Sequence, residues 1–142
     1  MIRLRPATPA DLPRIHEIRH GTAENRLSNP ALVTEAEVRW YMDEAIFLLS
    51  EDEEGVQGFG CANHQSGYIW ALFVIDPAQG RGHGAMLLDA MLERLHALGH
   101  RQTYLATEGG TKAITFYARR GFRETGASLG GDIVMVRPLG VV

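Results

Sequence analysis

Tyr68-Ile-Trp-Ala-Leu-Phe-Val-Ile-Asp-Pro-Ala-Gln-Gly-Arg-Gly-His-Gly84, continuing from Ala85 to Leu98, is the stretch that decides the fold. Residues 68–75 are rich in aromatic and β-branched side chains and read as a buried strand. Asp76-Pro77 ends it, because proline has no N–H for a sheet ladder. Gly80, Gly82 and Gly84 follow at alternate positions, and a helix starts at about the last of them. Leu87, Leu88, Met91, Leu92, Leu95 and Leu98 recur at helical spacing until Gly99 stops the helix. A strand, a glycine turn and a helix N-terminus leave backbone N–H groups unpaired where the helix dipole favours negative charge. A phosphorylated ligand is expected there.

Towards the N-terminus, Val56 to Ala62 and Ala45 to Ser50 form an apolar hairpin around an acidic turn, Glu51 to Gly55. Before it, Thr34-Glu-Ala-Glu37 is a capping box for a helix holding Val38, Tyr41 and Met42. Residues 24–30 are polar, with Ser28 and Asn29-Pro30, and read as a binding loop. Thr8, Pro9 and Asp11 open another helix, whose face of Leu12, Ile15, Ile18 and Arg19 ends by Gly21. Ile2 and Leu4 alternate with Arg3 and Arg5, which suits a half-buried edge strand. Towards the C-terminus, Thr103 to Thr107 closes a β-α-β crossover and is expected parallel to the Tyr68 strand. Thr111 to Arg120 is a short helix, and residues 122–125 and 133–137 are strands. The order β-α-α-β-β-β-α-β-α-β-β defines an α/β fold with a mixed sheet, a single domain over residues 1–142.

Composition excludes several classes. The 142 residues are 45% hydrophobic and 22% charged with net charge −3, and no Lys/Arg cluster marks a nucleic-acid or anionic-membrane footprint. No apolar run reaches bilayer length, and the N-terminus lacks a signal peptide's apolar core, so a cytoplasmic location is expected. Cys61 is the only cysteine, which rules out an internal disulfide. His16, His20, His64, His83, His96 and His100 lack metal-ligand spacing paired with an acid, so no metal is expected. His83 is expected on an exposed first turn of its helix.

The glycine turn fails as a P-loop, since Ala85 and Met86 stand where lysine and Ser/Thr are needed. A dinucleotide fingerprint fits Gly80-Arg-Gly82-His-Gly-Ala85 in relaxed form, with Glu108 as the ribose acid. Against it, Asp76-Pro-Ala-Gln79 separates strand from glycines, and too little chain follows Glu108 for a second nucleotide-binding half.

Gln79-Gly-Arg-Gly82-His-Gly84 resembles the acetyl-CoA pyrophosphate loop of GNAT-type N-acetyltransferases, with core pattern Arg/Gln-x-x-Gly-x-Gly/Ala. Ala113-Ile-Thr-Phe-Tyr117-Ala-Arg-Arg-Gly121-Phe122 is similar to that family's second signature. The resemblance covers the chain and is most specific over residues 72–122. Gly110 departs from it, where many relatives carry an asparagine that reaches towards CoA, and Thr111 can serve as a helix cap instead.

The resemblance implies acetyl-CoA as donor and an acetyl transfer straight to a primary amine. The acceptor expected is a small molecule or amino-acid-like amine, handled by a monomer or homodimer. It implies that the backbone of Phe73 and Val74, then Gln79, Gly80, Arg81, Gly82, His83, Gly84 and Ala85, bind the cofactor in a strand splay and glycine turn. A Val74-region N–H would polarise the thioester carbonyl. Tyr117 matches the general acid beside the leaving sulfur, or else packs the helix onto the sheet. The base is Glu108, then Glu24, or solvent; Glu108 reads, ahead of that role, as a solvated strand-end acid or helix-capping group. Glu24, Asn25 and Asn29 are acceptor-binding candidates facing residues 126–132, and Trp70 is either core or pocket wall. The alternative function is a CoA-binding sensor without transfer activity.

Overall fold

The computed structural model describes residues 1–21, 35–110 and 112–140. Glu24, Asn25, Asn29 and the two caps expected at Thr34 and Thr111 therefore lie outside the described residues.

Strand β1 is Arg3–Pro6, followed by a 3-10 turn at Pro9–Asp11 and helix α1 at Leu12–Gly21. Helix α2 is Glu35–Glu44. Strands β2 (Ile46–Asp52), β3 (Gly55–Ala62) and β4 (Ile69–Val74) lead to helix α3 at His83–Ala97. Strand β5 (Gln102–Thr107), helix α4 (Lys112–Arg119) and strands β6 (Arg123–Leu129) and β7 (Asp132–Pro138) complete the order expected from the sequence. The stretch 126–132, which the sequence leaves between the last two strands, comprises the end of β6, a turn at Gly130-Gly131 and the first residue of β7. Both glycines have positive φ, which suits a tight hairpin turn.

The expected mixed sheet is built as two antiparallel sheets, β1-β2-β3-β4 and β5-β7-β6. One parallel bridge, Tyr68 to Tyr104, joins them. Thr103 Oγ1 donates to Gly67 O at 2.6 Å beside that bridge, and the two tyrosine rings lie 5.0 Å apart. Beyond it β4 and β5 diverge.

Strand alternation divides the core between the two faces of the first sheet. Phe47, Leu49, Phe59, Cys61 and Phe73 turn towards Leu12, Ile15 and Ile18 of α1 and Val38 and Tyr41 of α2. Ile46, Leu48, Ile69 and Leu72 turn the other way, onto Leu87, Leu88, Met91 and Leu95 of α3. Helix α3 lies close because Gly60 has no side chain; a Cβ there would stand 2.8 Å from Met91 Cε. Thus β4 has the α1/α2 layer on one side and α3 and α4 on the other.

Candidate active site

The strand-to-helix connection is tighter than its composition suggested. After β4, Asp76–Ala78 forms a 3-10 turn, and Gly80 and Gly82 take φ of +82° and +102°. That left-handed backbone is where glycine has no steric cost. Helix α3 starts at His83, one residue before the expected start. Its N-cap, Gly82, has no side chain to cap it, and the first intrahelical bond is Met86 N–H to Gly82 O at 3.1 Å. The N–H groups of His83, Gly84 and Ala85 therefore have no intrahelical acceptor. They border a groove of about 440 Å³ that also meets Val74, Gln79, Phe116 and Tyr117. A Cβ at Gly84 would sit in ordinary contact, 3.4 Å from Phe116 Cζ.

The groove's far wall is basic. Lys112, Arg119 and Arg120 border it, and the Arg120 guanidinium lies 4.2 Å over the Phe116 ring. Arg81 is half exposed and stands 4.0 Å from Asp52 and 3.8 Å from Glu54. Those long ion pairs are weak enough for a phosphate to displace. Gln79 is already engaged, donating to Val74 O at 3.1 Å and Asp76 Oδ1 at 3.2 Å. An anionic ligand with a narrow arm fits these donors, so the residues present suit a CoA group.

The arm would enter where β4 and β5 part. Ile75 N–H donates to Gln57 O at 2.9 Å, and Phe73 lies opposite Phe59 in the ladder. Because alternate residues bond to opposite sides, the backbone of Phe73 is turned towards β3 and that of Leu72 and Val74 towards β5. The expected Phe73 backbone pairing with the cofactor is thus taken by β3; Leu72, unremarked in the sequence, has the correct parity. Phe73 stacks its ring on Phe59, and the residue borders a cleft of about 60 Å³ together with Leu72, Thr107, Glu108, Tyr117 and Asp132.

Tyr117 borders both groove and cleft, on the helix face that packs against Leu72 and Phe122. It is 6% exposed, and burial pushes its hydroxyl pKa up, further from neutral pH. Core packing and a role at the cleft are compatible readings, since the residue does both geometrically. Glu108 sits exposed at the cleft rim, just past β5, with Asp132 of β7 opposite. Cys61 is fully buried in β3, and burial pushes its thiol pKa well up, which removes it as a nucleophile.

On the α1/α2 side, Trp70 stacks on Tyr41 with centroids 4.2 Å apart and borders the cleft, so it is a wall as well as core. A second cavity of about 20 Å³ lies there against Ile15, Arg19, Val38, Phe47 and Trp70. The Nη1 of Arg19 is buried and has no hydrogen-bond partner among the described residues. The helical spacing of Arg19 with Ile15 and Ile18 hinted that it faces inwards; nothing in the sequence hinted that it lacks a partner.

His83 overturns its expectation. It is 1% exposed, beneath the glycine turn, with ring nitrogens 2.9 Å from Ser50 Oγ and 3.1 Å from Asp52 Oδ2. Helical position alone put it in solvent; the β2–β3 hairpin, far away in sequence, covers it. Among the described residues, no group of histidine, cysteine and acid side chains could hold a metal ion, and no helix is long and apolar enough to cross a membrane.

Comparison with known proteins agrees with this geometry. The family model for acetyltransferases of the GNAT family matches residues 12–122. A GCN5-related N-acetyltransferase structure from Rhodopseudomonas palustris superposes with a TM-score of 0.81 at 21% identity, covering 96% of this chain and 95% of its own. A GNAT-family acetyltransferase from Staphylococcus aureus gives 0.81 at 18% identity, with 98% and 99% covered. The PaiA N-acetyltransferase of Thermoplasma acidophilum, in complex with coenzyme A, gives 0.77 at 15% identity, with 97% and 99% covered. No curated protein sequence matches the chain. With its glycine turn, splayed strands and two-sided sheet accounted for, the chain belongs to the GNAT family of acetyltransferases and is an enzyme of acyl transfer.

Proposed function

We propose that the protein transfers an acetyl group from acetyl-CoA directly to the primary amine of a small, amino-acid-like acceptor. The observation that carries this reading is the divergence of β4 and β5 beside an uncapped helix N-terminus, with Tyr117 bordering both spaces. The coenzyme A in the Thermoplasma relative supports the donor. Bound acetyl-CoA supplies an activated thioester; the remaining chemistry falls to the chain.

First-turn N–H groups of α3, with Arg81, take the diphosphate charge. Arg119, Arg120 and Lys112 offer further positive charge along the groove. Backbone groups of Leu72 and Val74, turned towards the cleft, hold the pantetheine amides, and an N–H there polarises the thioester carbonyl. The amine must reach that carbonyl neutral. Glu108, at the rim, accepts its proton directly or through water, while Tyr117 donates one to the departing thiolate sulfur. The amine nitrogen gains the acetyl group, the carbon–sulfur bond breaks, and CoA leaves as the thiol.

The acceptor is read from the α1/α2 side. Glu108 and Asp132 supply negative charge for an ammonium group as it arrives. Arg19 supplies a buried donor without a partner among the described residues, suited to a carboxylate. Carboxylates on one flank of Trp70 and a guanidinium on the other favour an amino acid or short amino carboxylate over a simple alkylamine. The experiment is to supply acetyl-CoA with a panel of amino acids and the corresponding simple amines and follow CoA thiol release. Acetylation of amino carboxylates ahead of their decarboxylated partners is expected. Binding of acetyl-CoA with no thiol release across the panel would count against transfer.

A further inference from the structure

The transfer chemistry leaves His83 unexplained. An imidazole is a costly occupant of a site only 1% exposed, because two ring nitrogens must be desolvated where an aliphatic side chain would have none. Both nitrogens are met, by Ser50 Oγ at 2.9 Å and Asp52 Oδ2 at 3.1 Å. Ser50 is fully buried, and the Asp52 side chain is 8% exposed. Asp52 is fixed in turn by the Glu54 N–H at 2.9 Å and the Gln57 amide at 3.3 Å. Arg14 of α1 donates to Gln57 Oε1 at 3.2 Å. The Glu54 N–H, followed by the Gln57 and His83 bonds, holds the Asp52 carboxyl below its usual range. A continuous polar chain therefore runs from α1 through the β2–β3 hairpin to the glycine turn.

The serine-histidine-acid order invites comparison with a nucleophilic triad, but Ser50 is sealed. The backbone of Gly58 passes so close that a Cβ there would lie 2.9 Å from Ser50 Oγ. No substrate carbonyl can reach it. What the chain does contact is the turn. Gly80, Gly82 and Gly84 have no side chains with which to anchor it, and Arg81 is half exposed on long ion pairs. His83 is the one buried side chain in residues 80–84, and it is the first residue of α3.

We propose that Ser50 and Asp52 act through His83 to position the diphosphate site, fixing the direction in which the first-turn N–H groups of α3 point. His83 is a positioning residue in this scheme, not a catalytic one, and the scheme rests on the reading that the protein binds acetyl-CoA. A turn built from three glycines is free to tilt, and N–H donors lose most of their advantage when misaimed. Two hydrogen bonds at the root of the turn, one of them to a carboxylate, restrict that tilt before the ligand arrives, which lowers the ordering cost of binding.

The test compares CoA with pantetheine, which keeps the arm and thiol but has no diphosphate. Dissociation constants for both are measured on the full chain by calorimetry, with ligand-detected NMR for the weaker one. His83→Leu should weaken CoA binding roughly tenfold, the scale of one charge-linked hydrogen bond. Pantetheine affinity should not change. Ser50→Ala should weaken CoA less, and adding it to His83→Leu should cost little more, since both act through one chain. His83→Gln, which keeps a donor and an acceptor, should restore part of the affinity. Unchanged CoA affinity in a folded His83→Leu protein, or equal losses for CoA and pantetheine, overturns the proposal. Should His83→Leu fail to fold, the CoA-to-pantetheine ratio in Ser50→Ala decides it by the same criterion. A wild-type protein that binds neither CoA nor acetyl-CoA would instead overturn the function reading beneath it.

Discussion

Tyr117 is protonated at neutral pH, as an unperturbed phenol is, and burial disfavours the phenolate further, so it enters turnover able to donate. Tyr117→Phe keeps the ring that packs on Phe122 and removes only that proton. It should lower kcat by about 10²-fold, the usual worth of a general acid, and leave CoA affinity unchanged; steady-state thiol release and calorimetry check the two halves. Arg19→Met keeps an unbranched, apolar-stemmed side chain and removes the buried donor. KM for amino carboxylates should rise roughly tenfold, while KM for matched amines without a carboxylate should hold, as measured on the same panel. At Gly58 a methyl group would meet Phe73 O and Ser50 Oγ, both at 2.9 Å, and the former is backbone that cannot step aside. Gly58→Ala should lower stability by about 1–3 kcal/mol in urea unfolding, the range for overpacking. The types of these residues were open to reading in the sequence, and Tyr117 was found there through its place before Gly121-Phe122. The missing partner of Arg19 Nη1 among the described residues and the burial of His83 were not, because both are properties of what lies across from a side chain. His83 is a polar residue on a first helical turn, and solvent is the default for such a residue until a hairpin covers it.

At the scale of elements, the turn between β4 and α3 was legible because glycine at alternate positions has a local cause. Gly82 holds φ +102° with only Ile2 Cδ1 near its would-be Cβ, at 3.8 Å, so a substitution there is strained by backbone alone. Gly82→Ala should therefore cost about 1–2 kcal/mol of stability and weaken CoA binding, read by urea unfolding and calorimetry. The hairpin, the two N-terminal helices and α3 were equally legible, from alternation and helical spacing. The parting of β4 from β5 was not. A crossover predicts two parallel neighbours, and only the single Tyr68–Tyr104 bridge survives of that pairing. The backbone parity that turns Leu72, rather than Phe73, towards the cleft is likewise a matter of register with β3. Register depends on the partner strand, and a one-residue shift reverses every group.

For the whole molecule, the first sheet is tied to the α1 layer by a paired clamp. Arg5 donates to both oxygens of Asp11 at 2.9 Å, and Asp11 also accepts the Thr8 N–H at 2.8 Å. The Arg5 guanidinium, then the Thr8 contacts, bring the Asp11 pKa from 3.8 to about 2. A carboxyl whose folded pKa is depressed adds stability above its unfolded pKa and loses it as pH falls through the folded one. Asp11 should thus contribute roughly 2 kcal/mol above pH 4 that disappears by about pH 2, a loss absent from Asp11→Asn in acid titrations of folding. The order of elements, the two amphipathic faces, the glycine turn and the two motifs that mark the acetyltransferase family were determined by the sequence alone, because each rests on local stereochemistry or short-range periodicity. Tertiary structure alone decided that the sheet splits into a cleft, that Phe73 spends its backbone on β3, that the Nη1 of Arg19 is buried without a partner among the described residues, and that the glycine turn is rooted through His83 in Ser50 and Asp52. These depend on which surfaces meet across long stretches of chain, and that is set by packing rather than by any residue's neighbours in sequence.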